Sequence, residues 1–338
     1  AALTARRAGA KRKKTAAERN ADLIRHEYVT LQNAGTDLRG RLVPEIPFMG
    51  DPPAHGQTAD DSECRESPVA SRDTMRCPCN PNAVHSPPRL YPLADFIFLV
   101  MERMAAPLSE VVPLLLASHG KGKGAKKIPL GDVAAAMFDC IHAMHDKGNL
   151  FVDVKTENFM LSAPAASRKK AADDVSQRVR LIDFGLVERF GDMSCSRHRE
   201  DAHPAGPLVG TPTYASLNVM SGHTCARRDD LEALGYVVAE LILALAGEDG
   251  NGKRTKQDDS ALPWIHAASD EEVYRVKLQE MDKGKRSQST LFAGLKAAGA
   301  DKAMDGYFTA VRGLTYAGTP DYAALRRTLQ QVSVTVAG

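Results

Sequence analysis

The chain of 338 residues is 43% hydrophobic and 25% charged, with a formal net charge of +2. At roughly 100–200 residues per domain it is long enough for one large domain or two ordinary ones, with a sizeable core. Its composition excludes a wholly disordered or fibrous protein, and its longest greasy stretch, Leu231 to Gly247, is broken by Glu232 and Glu240 before it reaches a bilayer span.

Charge is unevenly spread. Residues 1–20 hold seven Lys and Arg against the single acid Glu18, so the body is slightly acidic. The run Lys11–Lys14 reads either as a nuclear-import or polyanion patch or, more commonly, as a solvated face. Residues 21–34 place Leu23, Ile24, Tyr28 and Leu31 at helical spacing, which predicts one amphipathic helix. Asp51 to Arg89 carries seven prolines and no periodicity, which predicts a disordered, mobile insert. The apolar run Phe96–Met101 has the length and pattern of a strand covered on both faces.

Helical periodicity returns at Asp132–His145, through Val133, Met137, Cys140, Ile141 and Met144, and Lys147-Gly148 closes it. Apolar runs at Asn158–Leu161 and Val179–Ile182 bracket the polar stretch Ser162–Gln177 and predict a hairpin with an enlarged tip. A long buried helix is expected over Asp230–Ala246, and two more around Ala303–Arg312 and Tyr322–Val332. Six irregularly spaced cysteines (Cys64, Cys77, Cys79, Cys140, Cys195, Cys225) point to reduced thiols and a cytosolic or nuclear setting. Cys77-Pro78-Cys79 lacks the second pair a zinc site needs.

The chemistry-bearing segment is Asp153-Val-Lys155-Thr-Glu-Asn158, followed by Asp183-Phe184-Gly185. Phosphoryl transfer needs positioned charge: a carboxylate to orient and deprotonate the attacking hydroxyl, a cation on the phosphate, and oxygen ligands for Mg²⁺. Asp153, Lys155 and Asn158 on one tight loop supply a base, a cation and one ligand, and Asp183 on a second loop supplies the other. These motifs lie in order with Val100-Met101-Glu102-Arg103-Met104, Gly210-Thr-Pro-Thr-Tyr-Ala-Ser216 and Arg227-Arg-Asp-Asp-Leu-Glu-Ala-Leu-Gly235. Together they resemble the eukaryotic protein kinases.

Ala215-Ser216-Leu217-Asn218 in place of Ala-Pro-Glu, the Arg-Arg-Asp-Asp-Leu-Glu helix start, Leu262-Pro263-Trp264 and Pro320-Asp321-Tyr322 resemble the casein kinase 1 group, including its vaccinia-related branch. The resemblance spans about Asp22 to Arg326 outside the inserts. It implies an α+β bilobal fold, with a small, truncated β-rich N-lobe over residues 1–104 and a mainly helical C-lobe over 105–332 that carries a loop insert at 162–177. It implies ATP and Mg²⁺ as cofactors and transfer to protein Ser/Thr. Asp153 would take the hydroxyl proton, Lys155 would stabilise the phosphate, and Asn158 and Asp183 would hold Mg²⁺. Met101 would be the gatekeeper, with Glu102 and Met104 on the adenine edge and Met160 beneath the base. Thr211 would contact the catalytic loop, Asp230 would brace it, and Glu27 would pair with a strand lysine.

The departures shape the expectations. Phe151-Val152 stands where His-Arg is usual, so the arginine that senses an activation-loop phosphate is missing, and Phe151 would pack in a column with Leu31 and Phe184. No glycine-rich loop precedes Glu27, and the strand lysine's place falls to Thr4, or to Lys11, Lys13 or Lys14. With Ala1 rather than Met first, the expectation is an active kinase whose first strands are missing from the sequence, and whose basic first residues belong to that lobe. The competing expectation is a pseudokinase acting as a binding module. Expected partners are protein substrates, acidic or already phosphorylated, engaged by a monomer without membrane or nucleic acid. Arg227 and Arg228 read either as an anion pocket for such substrates or as structural ion pairs.

Overall fold

The computed structural model describes residues 104–119, 124–163, 175–191, 198–247 and 261–336, and the backbone of four strands between residues 76 and 100. The expected helix over 21–34, with Glu27 and Leu31, lies outside the described residues, as do Met101 and Glu102. The four strands are β1 (Arg76–Cys77), β2 (Asn80–Val84), β3 (Arg89–Leu93) and β4 (Phe96–Val100). They form two antiparallel ribbons, β1 with β2 and β3 with β4, the latter in register from Arg89 opposite Val100 to Leu93 opposite Phe96. The strand expected at Phe96 is present. β1, β2 and the first residue of β3 fall inside Asp51–Arg89, which the composition read as structureless. Each strand of a two-stranded ribbon is an edge, where proline is tolerated, so Pro81 in β2 was a poor argument against a strand.

The larger body begins with β5 (Ala106–Pro107), a 3₁₀ turn at Leu108–Glu110 and α1 (Val111–His119). Pro113 sits in the first turn of α1, where a missing N–H costs nothing. Then follow β6 (Lys126–Pro129), α2 (Gly131–Asp146), β7 (Asn149–Leu150), β8 (Phe159–Leu161), β9 (Val179–Leu181) and β10 (Glu188–Arg189). β8 pairs antiparallel with both β5 and β9, so the two strands of the expected hairpin are paired, residues 164–174 of its tip lying outside the described residues, and β7 pairs with β10.

The C-terminal half is helical: α3 (Leu217–Met220), α4 (Arg227–Ala246), α5 (Asp270–Glu280), α6 (Thr290–Ala297), α7 (Asp301–Arg312) and α8 (Tyr322–Gln330). β11 (Ser333–Val336) closes the chain by pairing with β6. The result is the expected two-part α+β architecture, strand ribbons followed by a helical body. Ser216, Ser269, Ser289 and Asp321 each accept the backbone N–H three residues on and so start their helices.

α4 is the axis of this body. Leu231, Leu234, Val237, Val238, Leu241, Ile242 and Leu245 are all buried, so the helix is apolar on every side, as a helix covered all round must be. α2, α6, α7 and β11 pack against it. The tightest approach is at Gly235, where an added Cβ would lie 2.6 Å from Cε1 of Phe308 and 3.0 Å from Cε1 of Tyr307, both rings fully buried. Gly235→Ala is therefore expected to destabilise by about 1–3 kcal/mol through overpacking. Gly306→Ala on α7, where the nearest atom is 4.0 Å away, is expected to stabilise by about 0.5–1 kcal/mol. Urea denaturation of the two variants side by side checks both signs.

Candidate active site

The site is assembled at the N-terminal end of α4. The carboxylate of Asp230 is buried and accepts the backbone N–H groups of Phe151 at 2.7 Å and Val152 at 2.8 Å. Its Oδ2 also meets His145 Nε2 at 3.1 Å, and Nδ1 of the same ring meets the Tyr322 hydroxyl at 3.0 Å. Asp230 can only accept, so the His145 proton on that side is carried by Nε2. The brace expected of Asp230 is present, with α2 and α8 tied into it.

This brace holds an unusual backbone. Val152 has φ of 70°, left-handed and costly for a β-branched residue, and Asp153 N bonds Phe151 O at 2.9 Å across it, forming a γ-turn. The turn aims Asp153 at the activation segment. Thr211 Oγ1 donates to Asp153 Oδ1 at 2.7 Å, Lys155 Nζ lies 2.6 Å from Oδ2, and Asn158 Nδ2 donates to the Asp153 carbonyl at 2.9 Å. Asp153, Lys155, Asn158 and Thr211 are thus brought together as expected.

Asp183 stands on the neighbouring loop after β9, also left-handed at φ 62°, and Ile182 N bonds Asn158 O at 2.9 Å, which joins the two loops. The side chain of Asp183 is exposed, and Asn158 keeps its Oδ1 free of the bonds its amide nitrogen makes. Those oxygens are the hard donors that Mg²⁺ requires, so the donor set fits that ion. Phe184 is buried against Phe151 with ring centroids 5.7 Å apart, edge to face, which realises the expected pair; Leu31 lies outside the described residues.

Met160 on β8 is half-buried, and Pro107 of β5 lies opposite it in the ladder. Met104, also half-buried, immediately precedes Ala105, whose N–H bonds Leu161 O at 2.8 Å. Met160 thus lies within the β5–β8 pair and Met104 just before it.

Arg227 and Arg228 chiefly hold backbone carbonyls, where ion pairs to neighbouring carboxylates were the structural expectation. Arg227 donates to the carbonyls of Ala317 and Gly318 and to Thr319 Oγ1, and Arg228 to the Leu314 carbonyl, with Asp229 3.8 Å from its Nε. They pin the loop before α8 to the start of α4.

One residue of this region escaped sequence reading. Lys277 on α5 is fully buried, with Nζ donating to the carbonyls of Pro212 and Ala215 at 2.7 Å each and lying over the rings of Tyr236 and Trp264. Trp264 Nε1 in turn donates to Thr213 O at 2.8 Å. α5 and the Leu262-Pro263-Trp264 turn thus hold the segment that carries Thr211. α5 was missed because its buried face is Val273 followed one turn later by a lysine, so the apolar period is broken.

The profile of the protein kinase domain matches residues 85–285. The chain belongs to the protein kinase family. Among the proteins it is similar to are casein kinase I homologues. It is 29% identical over 201 residues to Casein kinase I homolog 2 of Schizosaccharomyces pombe, covering 59% of this chain and 39% of that protein. It is 30% identical over 204 residues to Casein kinase I homolog RAG8 of Kluyveromyces lactis, covering 59% and 32%. A casein kinase I homologue of Encephalitozoon cuniculi is 27% identical over 249 residues, covering 72% and 69%. The chain thus spans well under half the length of the first two of these relatives.

Burial pushes the Lys277 ammonium down to about 7 from its ordinary 10.5, with Glu232 opposing. Between those two values the unfolded chain binds more protons than the folded one, so stability rises with pH from about 7 towards 10, at up to about 1.4 kcal/mol per pH unit. Lys277→Met is expected to lower stability overall, by leaving two buried carbonyls unpaired, and to flatten that rise. Urea midpoints measured from pH 7 to pH 9.5 test both effects.

Proposed function

We propose that this chain is an ATP- and Mg²⁺-dependent protein kinase of casein kinase 1 type that phosphorylates Ser or Thr. The observation that carries the reading is Asp153, whose carboxylate is gripped by Thr211 on one oxygen and Lys155 on the other, on a loop joined to that of Asp183. Phosphoryl transfer requires positioned charge and little covalent chemistry from the protein, which is what this arrangement provides.

Mg-ATP, when bound, supplies the phosphoryl group and the neutralisation of its charge. Asp153 orients the acceptor hydroxyl and takes its proton. Lys155 stands beside it as the cation that faces developing phosphate charge, and its place two residues after the base favours Ser/Thr over Tyr. Asn158 and Asp183 supply oxygens to the metal. Met104, Met160, Met101 and Glu102 are assigned to the adenine, and Glu27 to the strand lysine. The acceptors are proteins, acidic or already phosphorylated, and the chain acts as a monomer in the cytosol or nucleus.

The test is Mg-ATP-dependent phosphorylation of casein. Wild type is expected to be active, Asp153→Asn to lose about 10²–10⁴-fold in kcat, and Asp183→Asn to lose the thermal shift on adding Mg-ATP. Because Val152 replaces the phosphate-sensing arginine, prior phosphatase treatment is expected to leave kcat/KM unchanged. A wild type silent on casein and unshifted by Mg-ATP makes the chain a binding module instead.

A further inference from the structure

The motif Pro320-Asp321-Tyr322 at the start of α8 sends one side chain back towards the site. Tyr322 is half-buried against a single face of α2. Its ring stacks on His142, with 3.9 Å between centroids and 16° between planes, and meets Phe138 edge-on at 6.1 Å. Its hydroxyl reaches His145, whose Nδ1 lies 3.0 Å away. Phe138, His142 and His145 follow one another at steps of four and three, so they share that face; the first two hold the ring and the third receives its hydroxyl.

The direction of these bonds is fixed by chemistry. Asp230 can only accept, so His145 Nε2 carries a proton towards it, and Nδ1 of the neutral ring accepts from Tyr322. Burial pushes the Tyr322 hydroxyl above its ordinary range, opposed by the Arg227 guanidinium, so the hydroxyl keeps the proton that it donates. The path from Tyr322 through His145 to Asp230 ends on the N–H groups of Phe151 and Val152, in the left-handed turn that directs Asp153. The His145 side chain is almost wholly buried, and a buried nitrogen left unpaired is costly.

α8 is docked on α2 a second time. Arg326, one turn beyond Tyr322, grips both oxygens of Asp139 at 2.7 and 2.9 Å. That pair fastens the two helices and has no part in the path through His145, so docking and positioning can be separated by experiment.

We infer that Tyr322 is a positioning residue: its hydroxyl fixes the rotation of His145 and so steadies Asp230 and the turn that aims Asp153. The inference rests on the kinase reading for its effect on rate, and on the hydrogen bonds alone for the steadying of the turn.

Tyr322→Phe keeps the ring between Phe138 and His142 and removes only the hydroxyl. In casein phosphorylation it is expected to lower kcat about tenfold, with KM for casein and the dissociation constant for Mg-ATP within twofold. A displaced base slows the chemical step without touching either ligand, and 1 Å of displacement costs on the order of a hundredfold. His145→Gln retains an N–H for Asp230 and has no acceptor where Nδ1 stood. It is expected to lose about as much, and nothing further on the Tyr322→Phe background. Asp139→Ala is expected to lower the urea midpoint while kcat stays within twofold of wild type. A kcat within twofold of wild type in Tyr322→Phe, additive losses in the double variant, or an equal loss in Asp139→Ala would overturn the role.

Amide exchange at Phe151 and Val152, resolved by NMR and compared with the amides of α4, reads the turn without an activity assay. It is expected to quicken at both in Tyr322→Phe and in neither in Asp139→Ala; unchanged exchange in Tyr322→Phe overturns the inference. If wild type proves silent on casein, the kinase reading fails while exchange still decides whether the hydroxyl steadies the turn. Should Tyr322→Phe not fold, His145→Gln carries the same rate and exchange tests.

Discussion

The site depends on a single buried carboxylate. Asp230 has almost no contact with water, yet its two oxygens accept two backbone N–H groups and one imidazole N–H. A buried carboxylate without such partners would be prohibitively costly. With them, bonds to a charged acceptor contribute roughly 1.5–3 kcal/mol each, enough to offset the roughly 1–3 kcal/mol of holding Val152 left-handed. The direction of Asp153 follows from that turn. The site is therefore set from the core outward: a helix buried along most of its length fixes Asp230, Asp230 fixes the turn, and the turn fixes the direction of Asp153.

The same end of α4 carries further buried charge, arranged by the same rule. Asp229, pushed up to about 6 by burial, accepts from Ser216 Oγ at 2.6 Å and from Ala226 N at 2.8 Å. Glu232 accepts from Leu217 N and from the Tyr236 hydroxyl. Lys277 faces this acidic group across the aromatic pair Tyr236 and Trp264. Consecutive acids on a buried helix start would repel if left bare, and here Asp229 is matched to Ser216 and Glu232 to the N–H of Leu217, while Asp230 takes its donors from Phe151, Val152 and His145. The acidic motif and the serine before it are thus one device for anchoring the end of the activation segment.

That explains which parts of the structure were legible in advance. The grouping of Asp153, Lys155, Asn158 and Thr211 could be read because phosphoryl-transfer chemistry demands fixed residue types at short spacings, α2 and the β8–β9 hairpin because their apolar patterns are unbroken, and α4 because it stays greasy despite Glu232 and Glu240. Lys277 was illegible because a buried cation counts as polar in any pattern, and only the carbonyls of Pro212 and Ala215, some sixty residues away, explain it. β6 and β11 escaped because each is four residues long and finds its partner across most of the larger body. Arg227 and Arg228 had two equal readings, an anion pocket or ion pairs, and neither anticipates the carbonyls of Leu314, Ala317 and Gly318 that they hold.

The placement of the activation segment is the last consequence of these contacts. After β10 the chain is gripped through its own side chains: Arg199 pairs with Glu188 at 2.6 Å and donates to Cys225 O at 3.0 Å, while His198 stacks on Phe190, over which the Arg227 guanidinium lies at 4.9 Å. Thr224 exchanges bonds with both the N–H and the carbonyl of Ala202. An exposed ion pair alone is worth little, at most about 1 kcal/mol. Coupled to a backbone carbonyl, a ring stack and a cation over an aromatic face, it becomes one side of a network whose members restrain one another. Such a network does for the segment what an arginine cluster does when it captures an added phosphate, using charges already in the chain.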